Sequence, residues 1–79
     1  MKTNIKQKDL EEYLAIAYQR SLIFRVSVNL METLLEENYI RKVAEDTTRI
    51  IFVDESNAIY VYEKQMNRLN AYVKQFAEE

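Results

Sequence analysis

Leu22-Ile23-Phe24-Arg25-Val26-Ser27-Val28-Asn29-Leu30 is the stretch on which the fold turns, because it satisfies two incompatible patterns. With a period of two, Leu22, Phe24, Val26, Val28 and Leu30 alternate with Ile23, Arg25, Ser27 and Asn29, mostly apolar against polar, as in a half-buried strand. With a period of 3.6, Phe24, Val28 and Met31 continue a stripe that starts at Leu10, Leu14 and Ala17 and runs on to Leu35. The helical reading is preferred: the stripe extends on both sides, and no turn residue brackets the segment. It predicts a helix over residues 7–37, with a break near Arg20-Ser21 as the alternative.

Working outward, Asp9, Glu11 and Glu12 place negative charge where a helix N-terminus favours it. Tyr13, Ile16 and Leu34 broaden the apolar stripe. After Leu35 the phase slips, which predicts a helix end at Glu37-Asn38 with Asn38 in the left-handed conformation. Thr47 to Val53 is dense in β-branched and aromatic residues and predicts a strand. Asp54-Glu55-Ser56-Asn57 is the strongest turn in the chain, with Asn57 taking the backbone conformation usually left to glycine. Ala58 to Tyr62 then returns as a second strand.

Further on, Ile59, Tyr62, Met66, Leu69, Val73 and Phe76 keep an a/d heptad spacing and predict an amphipathic helix to about residue 77. That helix begins either at Ser56 or after a strand at 58–62. The fold class expected is mainly α (α+β) in one small domain: a long or once-broken helix, a small hairpin within 39–62 and a C-terminal helix. An all-α helical hairpin or bundle is the alternative.

Composition narrows the chemistry. The 79 residues include no Gly, Pro, Cys or His. Without glycine, phosphate-cradling loops and dinucleotide fingerprints are excluded. Without Cys or His, zinc fingers, disulfide scaffolds, thiol redox chemistry and Cys or His catalysis go too. Adjacent carboxylates such as Glu11-Glu12 and Glu36-Glu37 point about 100° apart on a helix, so they do not converge on one ion or proton. Glu32 and Glu36 share a face but have no third ligand. These absences predict a protein that is not an enzyme and needs no cofactor or metal.

The net charge of −2 is spread along the chain and is no basic footprint. No apolar run approaches a membrane span, because Arg25, Asn29 and Glu32 interrupt the richest stretch. A cytoplasmic location with no membrane contact is the expectation. A core this small rarely supplies more than about 3–5 kcal/mol. With no metal or disulfide to help, self-association, most simply as a homodimer, is expected. The seam assigned to it is the stripe Ile59, Tyr62, Met66, Leu69, Val73 and Phe76. Of six tyrosines, Tyr18 and Tyr60 point away from the apolar stripes on helical phasing and are the candidates for contact with a partner protein.

Leu34-Leu35-Glu36-Glu37-Asn38-Tyr39-Ile40-Arg41-Lys42 resembles the junction after the recognition helix of winged-helix regulators of the MarR type. The resemblance covers about 20 residues. It makes Leu34 a core leucine, puts Asn38 in place of a glycine and sends Tyr39-Ile40 into the first wing strand. Asp46-Thr47-Thr48-Arg49 falls at the wing tip, Ile50 to Val53 returns, and the heptad helix becomes the dimerisation helix. DNA contacts would then fall to Arg41, Lys42 and Arg49. Glu32, Glu36 and Glu37 depart from this, since acidic residues on a recognition helix repel phosphate. The function expected is therefore a protein–protein interaction module, a regulator or inhibitor that self-associates and docks onto a partner. A dimeric winged-helix-like transcription regulator is the alternative.

Overall fold

The computed structural model describes residues 2–74, with side chains from Leu10 onward. Its elements are α1 (Lys2–Tyr18), β1 (Leu22–Val26), α2 (Val28–Glu36), β2 (Ile40–Glu45), β3 (Arg49–Asp54), β4 (Ile59–Glu63) and β5 (Arg68–Val73). The strands form one antiparallel sheet in the order β1-β5-β4-β3-β2. β2 to β5 is a meander of hairpins, and β1 completes the sheet against β5.

This architecture overturns the expected mainly helical fold and its all-α alternative: the protein is a small β-rich one with two helices. The helix expected over 7–37 is interrupted by β1. Strands expected at 47–53 and 58–62 belong to a five-stranded sheet and not to a small hairpin. Among the described residues the C-terminal heptad helix is replaced by β4, a turn at Lys64–Asn67 and β5, which occupy residues 59–73.

The physical reasons are local. Arg20 follows α1, and its guanidinium Nη1 donates to Asn57 O at 2.8 Å and Tyr72 O at 2.9 Å. The break at Arg20-Ser21 is thus held by distant carbonyls, which the local pattern does not reveal. Tyr62 and Leu69, seven apart, share a stripe on a helix, yet they are also direct cross-strand partners. A turn without glycine leaves the heptad spacing intact. Asn67 supplies that turn's left-handed residue, at φ 52°.

Asparagine does this three times. Asn38, Asn57 and Asn67 have φ of 63°, 70° and 52°. At the end of α2, Tyr39 N donates to Leu34 O at 2.9 Å and Asn38 N to Leu35 O at 3.1 Å. Those two bonds are the Schellman closure, with Asn38 where glycine is usual. Its accompanying apolar pair is Leu34 and Tyr39, which line one cleft.

α1 lies on one face of the sheet. Leu10 and Ala17, with half-buried Tyr13 and Leu14, pack into a core of Ala44, Ile51, Val53, Ile59 and Val61. Cross-strand register puts Ile40, Phe52, Leu69 and Ala71 on the opposite face, where they are also buried. α2 connects β1 at one edge of the sheet to β2 at the other, and it serves this second face: Leu34 shares a cleft with Tyr60 and Asp54 there.

Candidate interaction surface

The two edges of the sheet are built differently. β2 carries Arg41, Lys42 and Glu45, is bulged between Lys42 and Ala44, and has α1 laid against it. Charge, a bulge and a covering helix are the devices that stop an edge from accepting a further strand. β1 has neither the bulge nor the covering helix, and carries one charge. Its register against β5 is unbroken over all five residues, and its single charge is Arg25. Ile23 and Phe24 point to opposite faces of the sheet, yet they are 54% and 53% exposed. Each face of this edge therefore presents one exposed apolar side chain, with Arg25 beside Ile23.

The helix that leaves β1 is equally incomplete. α2 is amphipathic in sequence, but none of its nine residues is buried. Leu30 is 51% exposed, and Leu35 is exposed as well. Beyond its C-terminus Tyr39 is 61% exposed. A cleft of about 410 Å³ opens here, lined by Leu34, Tyr39, Asp54, Glu55, Ser56 and Tyr60.

Electrostatics at this cleft are dominated by Asp54. Burial pushes its carboxyl up, but hydrogen bonds from Ser56, Ala58 and Tyr60 outweigh that and hold it below the usual range. Tyr60 is pushed up to about 12, by burial first and then by its bond to Asp54. Asp54 is thus an ionised structural acceptor already occupied by its own turn.

A second charged cluster joins the opposite turns. Glu45 accepts from Lys42 Nζ at 2.8 Å and from Lys64 Nζ at 3.0 Å. These bonds, that from Lys42 being the larger influence, hold its carboxyl down at about 2. Lys64 Nζ also donates to Asp46 O at 2.8 Å, and Asp46 Oδ1 accepts from Thr48 N and Arg49 N.

The residues singled out in the sequence are dispersed by the fold. Ile59 lies in the α1-side core and Leu69 in the opposite one, fully enclosed. Tyr62 is half-buried and donates to Asn67 Oδ1 at 2.7 Å; Val73 is half-buried at the end of β5. Met66 is exposed in the β4–β5 turn, and Phe76 is outside the described residues. They form no single seam. Tyr18 is exposed and meets Tyr72 edge-on at 5.8 Å, whereas Tyr60 is half-buried at Asp54.

Arg41 and Arg49 register on the α1 side of the sheet, while Lys42 registers on the other and is paired with Glu45. Arg49 keeps a buried Nε without a hydrogen-bond partner. The features that sequence reasoning missed are the β1 edge and Tyr39. The period-two alternation at 22–30 was the signal for the first.

Among the described residues no group of three or more acidic, Cys or His side chains is placed to hold a metal ion. No helix among them is long and apolar enough to cross a membrane. No family model, curated protein or solved structure matches this chain.

Proposed function

We propose that this protein is a non-enzymatic protein–protein interaction module that self-associates and docks onto a partner protein as a regulator or inhibitor. The observation that carries the reading is the concentration of uncovered apolar side chains on adjoining elements: Ile23 and Phe24 on β1, Leu30 and Leu35 on α2. Scattered apolar residues are normal on a surface, but an apolar edge strand followed by an unburied amphipathic helix marks a contact region. The absence of cysteine suits a cytoplasmic setting for it.

The test is light scattering over a dilution series, combined with affinity capture from the native host. The reading expects a concentration-dependent dimer and a stoichiometric protein partner that Leu30→Asp or Leu35→Asp releases. A chain that is monomeric at every concentration and captures nothing overturns it. Salt-sensitive retention of duplex DNA, lost on replacing Arg41, Lys42 and Arg49 by alanine, would favour a DNA-binding role instead, though not through a winged helix.

A further inference from the structure

We infer that β1 pairs antiparallel with β1 of a second copy about a twofold axis at Phe24, joining two sheets into one. The inference rests on the self-association reading above and specifies its interface. Among the described residues no strand flanks β1 on its outer side, so its outward backbone groups are a ready template for another strand.

The sequence of β1 suits its own copy. Antiparallel pairing centred on Phe24 sets Leu22 opposite Val26 of the partner, and Ile23 opposite Arg25 of the partner. Directly opposed like charges destabilise a sheet, and this register avoids them. Arg25 is the only charge on the strand and faces an aliphatic side chain across the dyad. A net charge of only −2 per chain gives little repulsion between copies.

Area sets how tight the pairing is. An aromatic side chain hides about 150–250 Å² when fully buried, so half-exposed Phe24 still offers on the order of 100 Å². Ile23 and the outer backbone of five residues bring the patch to a few hundred Å² per protomer. That is below the roughly 800 Å² that each partner gives to a standard interface, so the pairing is of the weak, concentration-dependent class. Twofold pairing is also the simplest closed assembly, since one patch serves both copies and no open chain of subunits results.

The full chain has no cysteine, so Phe24→Cys introduces a single thiol. Opposed Cα atoms in an antiparallel pair are about 4.5–5.5 Å apart, within the span of a disulfide. Mild oxidation is expected to convert most of Phe24→Cys to a covalent dimer, while Leu35→Cys on α2 stays monomeric on a non-reducing gel. Phe24→Lys, which guards the edge, is expected to raise the dimer dissociation constant at least about tenfold with an unchanged far-UV spectrum.

A wild-type dimer in which Leu35→Cys cross-links and Phe24→Cys does not overturns this interface but leaves self-association standing. So does a Phe24→Lys chain that dimerises as tightly as the wild type. A wild-type chain that stays monomeric overturns both and leaves the edge to an unlike strand.

Discussion

Tyr60 Oη donates to Asp54 Oδ2 at 2.9 Å, so a side chain of β4 holds the carboxylate that organises the turn leading into β4. Oδ1 of the same carboxylate accepts from Ser56 N, Ser56 Oγ and Ala58 N at 2.9, 2.9 and 3.0 Å. One side chain thereby fixes the β3–β4 connection, which leads into the central strand β4.

Asp54→Ala should cost about 2–3 kcal/mol, because several charge-assisted bonds go at once and backbone donors lose their acceptor. Tyr60→Phe removes one bond and should cost about 1 kcal/mol. Urea denaturation with an unchanged slope reads both. In alkali the folded protein keeps the Tyr60 proton up to about pH 12, whereas an unfolded tyrosine loses it near 10. The stabilisation is complete below pH 10 and is lost as pH rises from 10 to 12. Tyr60→Phe should flatten that part of the stability profile.

Glu45 works in the opposite direction. Its folded pKa, lowered from 4.5 to about 2, makes its contribution complete above pH 4.5 and lost as the pH falls toward 2. Glu45→Gln should remove this acid limb. At neutral pH the cost should stay below about 1 kcal/mol and shrink further with added salt, because both ion pairs are partly exposed.

The three left-handed asparagines should respond differently to glycine. At Asn38 and Asn57, glycine relieves the positive-φ penalty and should stabilise by a few tenths to about 1 kcal/mol. Arg20 binds the backbone carbonyl of Asn57, so that contact survives the exchange. At Asn67 the gain is offset by loss of the bond from Tyr62 Oη, and the net change should be near zero. Thermal melts of the three single variants check the ordering.

Leu69→Ala should cost about 2–5 kcal/mol, since this fully enclosed side chain would leave a cavity. Met66→Ala, three residues earlier on the same heptad stripe, should stay within about 0.5 kcal/mol because Met66 is exposed in a turn. A helical seam would make both costly, so the contrast in chemical denaturation distinguishes the hairpin from a helix.

The β3–β4 hairpin is legible in the sequence, and the reasons are local. Arg49 to Val53 is rich in β-branched side chains, and Asp54 to Asn57 has turn chemistry that acts within four residues. Asn38 can be recognised because a helical phase ends just before it. The two errors share a cause. α1 and α2 are both helices, and the residues between Tyr18 and Val28 preserve the apolar phase across β1, so the two stripes read as one. With no glycine or proline at Arg20-Ser21 or at Lys64–Asn67, the local sequence marks the breaks only weakly, the second by Asn67 alone. The deciding contacts are long-range: Arg20 to Tyr72 and β1 to β5. The exposed edge was hidden with them, because a residue's place at a sheet margin depends on strand order and not on its neighbours in sequence.

That strand order also shapes how the chain reaches its native state. Each hairpin from β2 to β5 closes between neighbours in sequence, so loop-closure entropy is low and these strands can pair early. β1 has to wait. Leu22 pairs with Val73 and Val26 with Leu69, partners that come last among the described strands. During synthesis β1 is made before its partner strand, an apolar segment with both edges unsatisfied. The most sequence-distant pairing of the sheet and its least guarded edge therefore fall on the same five residues.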